Sequence, residues 1–273
     1  MSDRVTLPQI QQMKEAGEKS TCLVAWDFQM ARIADRVGVE IVSVGDTVGV
    51  NLWGQSHPLE ITMDELLVSA RAVRRGVTRA LLSCDFPFGP LQAGPQATID
   101  AAIRLVKEAG VDVVKLDGAA DYPEAVEDVV RAGIPVFAQF GITPQTALRY
   151  GADYQAMARG GHTVPDELTE DLVAQARRLE SAGASLLNFT NSGPSVGAAV
   201  VEAVEIPVLG GFGGGPWLDG RIRMATNAVG YAASTIDTPA DTYANVAQVI
   251  HDALAACVDD MRAGRQVRSG RAT

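Results

Sequence analysis

The chain has 273 residues, 47% hydrophobic and 21% charged, a size at which one large core is buried within a single domain. A formal net charge of −10 excludes partners recognised through phosphate charge, nucleic acid and anionic membrane surfaces alike, because no basic surplus exists to displace counterions. Residues 1–20 lack the apolar core of a secretion signal, no apolar run reaches bilayer length, and three scattered cysteines (Cys22, Cys84, Cys257) suit neither a disulfide framework nor a zinc cage, so a cytoplasmic protein is expected.

Strands and helices are predicted in alternation. Cys22–Ala25 is the first short apolar run. The stretch Arg36-Val37-Gly38-Val39-Glu40-Ile41-Val42 then places a glycine at a left-handed helix cap and leads into a strand over Ile41–Gly45. Asp64–Arg75 reads as an amphipathic helix, N-capped by Thr62 or Asp64, before a strand at Ala80–Cys84. The next helix, Thr98–Ala109 with Thr98 as its cap, runs through Glu108-Ala109-Gly110-Val111 into a strand over Val113–Leu116.

Two more joints of the same kind follow, at Ala132-Gly133-Ile134-Pro135-Val136-Phe137 and Ala182-Gly183-Ala184-Ser185-Leu186-Leu187. Val208–Gly211 and a weaker run at Ile222–Ala225 complete the strands, and a last helix is expected over Pro239–Met261. Strands this short and apolar are buried on both faces. Eight of them alternating with helices predict an α/β fold, a (β/α)8 TIM barrel forming a single domain over residues 1–261, with an open doubly wound sheet as the alternative. Residues 262–273, with Arg262, Arg265, Arg268 and Arg271 among small polar residues, are expected to form a disordered tail.

Three successive predicted strands run into an aspartate: Asp46, Asp85 and Asp117. If the strands are parallel neighbours their carboxyl ends converge, and three carboxylates there make an oxygen-rich pocket suited to Mg2+ or Mn2+ rather than Zn2+. Lys115 lies two positions before Asp117 and so on the same face of its strand. The competing readings are ordinary: an aspartate after a strand often caps the next helix, and a buried lysine often forms a structural ion pair. Gly210-Gly211-Phe212-Gly213-Gly214-Gly215 lacks the Lys-Ser/Thr ending of a phosphate-binding loop. Of the histidines, His57, His162 and His251, only His162 falls in a loop on the expected active face, where a solvent-exposed side chain is the commoner outcome.

Five strings in order, Val44-Gly45-Asp46-Thr47-Val48-Gly49, Arg71-Ala72-Val73-Arg74-Arg75-Gly76, Asp85-Phe86-Pro87-Phe88, Val114-Lys115-Leu116-Asp117-Gly118 and Gly141-Ile142-Thr143-Pro144-Gln145, resemble the ketopantoate hydroxymethyltransferase family over roughly Thr21 to Asp219. The resemblance implies membership of the phosphoenolpyruvate mutase and isocitrate lyase superfamily of barrels. It implies Mg2+ held by Asp46 and Asp85, with Asp117 in place of a glutamate of the metal shell, and an α-keto acid held by Lys115, Asp85 and Thr47. Gln139 stands where that family has a histidine, and Asn188 where it has the glutamate that removes the substrate's C3 proton. An amide cannot do that work at neutral pH.

The resemblance therefore implies an Mg2+-dependent, homo-oligomeric hydroxymethyltransferase-like enzyme with a divergent catalytic set at Lys115, Gln139 and Asn188. It would do aldol-type carbon–carbon chemistry on an α-keto acid through a metal-stabilised enolate, with 5,10-methylenetetrahydrofolate as one-carbon donor. Two other readings remain open: a lyase or hydrolase of a 2-oxo acid in the same superfamily, and a non-catalytic keto-acid-binding paralogue.

Overall fold

The computed structural model of the protein describes residues 4–154, 157, 163–238, 241–266 and 268. Eight strands close into a barrel in sequence order: β1 (Ser20–Val24), β2 (Ile41–Val44), β3 (Leu81–Asp85), β4 (Val113–Asp117), β5 (Val136–Gly141), β6 (Leu186–Thr190), β7 (Val208–Gly210) and β8 (Gly220–Met224). Successive strands pair in parallel. The helices are α1 (Leu7–Glu15), α2 (Phe28–Val37), α3 (Val48–Trp53), α4 (Met63–Gly76), α5 (Pro95–Ala109), α6 (Pro123–Arg131), α7 (Thr169–Ser181), α8 (Pro194–Ala203), α9 (Ala225–Ala228) and α10 (Val246–Arg262). The expected (β/α)8 barrel is therefore present, with one local difference: among the described residues no helix separates β7 from β8.

The joints form for the reasons the sequence carries. Gly38 and Gly110 take left-handed conformations at the C-caps of α2 and α5, which only glycine adopts without strain. Thr62, not Asp64, caps α4, in a reciprocal capping box with Glu65. The expectation of Thr98 as a cap fails. Gly94 and Pro95 start α5 one turn earlier, and the buried Thr98 hydroxyl donates to the carbonyls of Pro90 and Gly94 at 3.2 and 3.0 Å.

Aspartates also occupy the strands themselves: β3 and β4 end on Asp85 and Asp117, one residue beyond the predicted ends. Along the strands Val42, Val44, Leu82, Val114 and Leu116 alternate with residues of the other face, which carries a buried polar set including Ser43, Ser83, Lys115, Asp117, Gln139 and Asn188. A hydrogen bond of 3.3 Å between the hydroxyls of Ser43 and Ser83 lies on that face.

The chain divides into two compact units, Met1–Arg223 and Met224–Thr273. In the second, Asn245 caps α10 by accepting from the Gln248 N–H at 3.0 Å, and its amide donates to the Thr235 carbonyl at 3.2 Å. The last helix thus starts at Val246; Pro239, its expected start, lies outside the described residues. Val249, Ile250, Leu254, Val258 and Met261 are exposed along α10. Arg262 ends that helix and Arg265 is described, paired with Asp260, whereas half of the expected tail, Arg271 included, lies outside the described residues. Cys22 and Cys84 are buried free thiols and Cys257 is half-buried.

Candidate active site at the carboxyl ends of the strands

Parallel pairing fixes which side chains meet. Asp85 of β3 is in register with Lys115 of β4, Asp117 of β4 with Gln139 of β5, and Gln139 with Asn188 of β6. Register partners in a parallel sheet share a face, and residues two apart on one strand do so as well. Lys115, Asp117, Gln139 and Asn188 therefore form one continuous row inside the carboxyl end of the barrel, the face where such folds keep their chemistry.

The Lys115 ammonium donates to both oxygens of Asp85, at 3.0 and 3.2 Å, and both side chains are buried. The structural ion pair weighed from sequence is thus formed, inside the candidate site. Burial opposes the ammonium, but Asp85, Asp46 and Asp117 outweigh it, and the Lys115 pKa is raised. Asp46 follows β2, and its backbone N–H donates to Asp85 Oδ2 at 3.3 Å, which places the two residues side by side. Burial first, then the charges of Asp85 and Asp117, push the Asp46 carboxyl well above its ordinary value.

None of the three aspartates caps a helix. The cap of α3 is Thr47, without a side-chain hydrogen bond, and the turn after Asp117 is opened by Gly118. Thr47 is itself buried beside Asp46. Asp117 is pushed up to about 6, chiefly by burial and despite the Thr143 hydroxyl, and its Oδ1 has no hydrogen-bond partner. It borders a cavity of about 230 Å³ lined also by Phe88, Gln92, Tyr122, Gln145 and Arg149.

Three further residues were not singled out from sequence. Gln145 donates to Asp46 Oδ2 at 3.1 Å and to the Phe86 carbonyl at 3.2 Å, tying the loop after β5 to the ends of β2 and β3. Tyr154 is buried, with its pKa raised to about 12 by burial and then by Asp46, and its ring lies 5.4 Å from His57 and 6.4 Å from Phe212. Asn191, left-handed at φ 57°, donates its side-chain amide to the Ile142 carbonyl and its backbone N–H to the Phe212 carbonyl, at 2.7 and 2.8 Å. Phe212 is also left-handed, at φ 37°, so the glycine-rich loop after β7 holds local strain of the kind found at binding sites. The Gln145 motif, the glycine run and the polar segment Asn188–Gly193 gave a signal in the sequence; Tyr154 gave none. His162 lies outside the described residues.

Among the described residues, no group of three or more His, Cys, Asp and Glu side chains is arranged to hold a metal ion. Asp46, Asp85 and Asp117 lie near enough for their charges to act on one another, with Asp85 engaged by Lys115 and Asp46 by Gln145. Mg2+, however, is commonly held by one or two carboxylates, with water and substrate completing its shell. Asp46 and Asp85, adjacent and buried, fit that role, and the unpaired oxygen of Asp117 leaves room for a water-bridged contact.

The family model described as ketopantoate hydroxymethyltransferase matches residues 4–266. A 3-methyl-2-oxobutanoate hydroxymethyltransferase of Salinibacter ruber is 38% identical over 259 residues, 95% of this chain and 95% of that one. The enzyme of the same name from Pyrococcus furiosus is 34% identical, covering 96% of this chain and 89% of its own. Among solved structures, phosphonopyruvate hydrolase in complex with oxalate and Mg2+ superposes with a TM-score of 0.60 at 12% identity, covering 96% of this chain and 98% of that one. The 2,3-dimethylmalate lyase of the PEP mutase/isocitrate lyase superfamily gives 0.60 at 14%, covering 95% and 89%. At such identities the structures speak for the barrel alone, whereas the sequence matches span nearly the whole chain: it belongs to the ketopantoate hydroxymethyltransferase family and is an enzyme of that type.

Proposed function

We propose that this enzyme does aldol-type carbon–carbon chemistry on an α-keto acid with a divalent cation, Mg2+ or Mn2+, held by Asp46 and Asp85. The supporting observation is the buried cluster of Asp46, Asp85, Lys115 and Asp117 where the strands end. Bound there, the cation supplies Lewis acidity toward a keto oxygen and so lowers the cost of negative charge beside it. Lys115, freed from part of its pairing with Asp85, anchors the substrate carboxylate, and Thr47 offers its hydroxyl to the same group. Gln145 holds Asp46 in place by donating to its Oδ2.

Asn188 and Gln139 occupy the positions where the family's glutamate and histidine are expected, and neither amide takes a proton at neutral pH. Turnover of plain 3-methyl-2-oxobutanoate with 5,10-methylenetetrahydrofolate is accordingly expected to be slow. A physiological acceptor other than that acid follows, with cleavage of a 2-oxo acid as the second reading, favoured by the same missing base. The stripe of Val249, Ile250, Leu254, Val258 and Met261 on α10 leads us to propose a homo-oligomer, which light scattering of wild type and Leu254→Glu would test.

The central test is NMR of a panel of 2-oxo acids in D2O with protein and Mg2+. Deuterium entering C3, dependent on metal and lost in Asp46→Asn, is the expected result; no metal-dependent exchange or cleavage with any acid of the panel would sink the proposal.

A further inference from the structure

The connection after β5 reaches the end of β2 by two separate ties. Gln145 makes the first, donating to Asp46 Oδ2 at 3.1 Å. Tyr154 makes the second: it is buried, and its hydroxyl is hydrogen-bonded to the Asn51 side chain on α3. Asn51 donates its side-chain amide to the Thr47 carbonyl at 2.8 Å, in the turn where α3 begins. Two consecutive residues of that turn are thus held by one connection about 100 residues away in sequence, Asp46 through its carboxylate and Thr47 through its backbone.

Tyr154 is itself braced from two sides. The His57 ring, in the connection after β2, lies 5.4 Å away at a tilt of 58°, and its Nδ1 accepts from the Leu59 N–H at 3.1 Å, which fixes the imidazole. Phe212, in the loop after β7, meets Tyr154 edge-on at 6.4 Å. Among the described residues Phe212 and Asn191 are the two non-glycine residues with left-handed backbone, and the Asn191 N–H donates to the Phe212 carbonyl at 2.8 Å. Such a conformation is costly for a phenylalanine and persists only where the surroundings over-determine it. Here it turns one ring onto Tyr154. A residue that only filled this space would not need a hydroxyl, since phenylalanine buries the same ring with no polar group to satisfy.

Resting on the proposed keto-acid site, we infer that Tyr154 is a positioning residue that acts through Asn51 on Thr47, and that the two ties have separate effects: Gln145 sets the cation ligand Asp46, while Tyr154 sets the hydroxyl that grips the keto acid. The Thr47 side chain departs from the residue whose carbonyl Asn51 holds, so a loosened carbonyl displaces the hydroxyl, and a grip of this kind depends on placement to within about 0.5 Å. No bond-making step is assigned to the phenol.

The test is calorimetric, on the full-length protein: Mg2+ alone, then pyruvate and 3-methyl-2-oxobutanoate at saturating Mg2+. In Tyr154→Phe, which keeps the ring, the acids should bind about three- to tenfold more weakly, the effect of one hydrogen bond, while Mg2+ affinity stays within about twofold. Gln145→Leu should show the reverse split, with Mg2+ weakened about three- to tenfold and the acids within about twofold. Asn51→Ala should weaken the acids at least as much as Tyr154→Phe, and adding Tyr154→Phe to it should change nothing further, because the two residues act in series.

Wild-type acid affinity in Tyr154→Phe overturns the inference, as does equal weakening of cation and acid, which would make Tyr154 an ordinary packing residue. Additive losses in the double variant overturn the route through Asn51 and the inference with it. In all three cases the wild type still binds, and the keto-acid site stands. Failure of the wild type to bind either acid overturns both.

Discussion

The two ends of this barrel use the same residue type for opposite purposes. At the amino ends of the strands carboxylates accept from backbone N–H groups. Asp35, on α2, accepts from the N–H groups of Thr78, Arg79 and Ala80 at 2.9, 3.1 and 2.8 Å. Glu40 accepts from Thr21, Asp112 from Leu82 and Asp219 from Val208, at 2.8, 2.9 and 2.9 Å. At the carboxyl ends Asp46 and Asp117 have few or no such partners and sit beside like charge. Burial works against Asp35 too, yet its hydrogen bonds from Ala80, Thr78 and Arg79 hold its carboxyl below the ordinary value, whereas the Asp46 and Asp117 carboxyls are pushed up. A saturated carboxylate locks strands together; an unsaturated one is free to hold something else.

The largest effect should come from breaking the carboxyl-end cluster. Asp85→Ala leaves the Lys115 ammonium buried without its direct partner and removes one proposed cation ligand. A loss of about 3–5 kcal/mol of stability in urea is expected, with metal-dependent deuterium exchange down at least about a thousandfold. Retention of exchange within about tenfold would place the chemistry elsewhere.

At the other end, Asp35→Ala should cost about 2–4 kcal/mol in the same unfolding experiment, because three backbone N–H groups lose their acceptor. The folded fraction should keep its keto-acid affinity unchanged. A change in affinity without a change in stability would reverse the roles assigned to the two ends.

Acidity separates the ends without mutation. Asp117 has a folded pKa of about 6, above its unfolded value, so between those two values the native state holds a proton that the unfolded chain has lost. Stability of the metal-free protein should therefore rise as pH falls from 7 through 6, by at most about 3 kcal/mol, with Asp46 acting in the same direction. Asp35 has the opposite sign: its contribution is present above the unfolded pKa and is lost only as pH falls through its lowered folded value. Thermal melts of wild type and Asp117→Asn across pH 5–7.5 test this. The substitution should flatten the rise and stabilise the metal-free protein at pH 7.5.

Much of this architecture could be read from the chain. The glycine joints at Gly38, Gly110, Gly133 and Gly183 announced where helices hand over to strands, because a left-handed cap followed by a β-branched run has few other uses. Asp46, Asp85, Lys115 and Asp117 were legible as residues at strand ends. How they pair was not: whether Asp85 turns to Lys115 or joins Asp46 and Asp117 around an ion depends on distances set by barrel closure. Gln145 reaches Asp46 across 99 residues of sequence and Tyr154 approaches from the same connection, contacts that no local pattern encodes. Thr98 misled because a threonine before an amphipathic run resembles a cap, while Gly94-Pro95 had already begun the helix.

The smallest expected effect is also the one that bears most directly on how this chain differs from its relatives. If Asn188 stands where the family's base is expected, Asn188→Glu should restore a proton acceptor on β6 beside Gln139, in register with it. The new carboxylate would be buried, which raises its pKa toward the range in which a base works at neutral pH, while the charge of Lys115 opposes that rise. Metal-dependent deuterium exchange into 3-methyl-2-oxobutanoate should then increase about tenfold. An exchange rate identical to wild type, in a variant that still binds the acid, would mean that the end of β6 does not face the substrate's C3, and the row from Asp117 to Asn188 would lose its claim to the site.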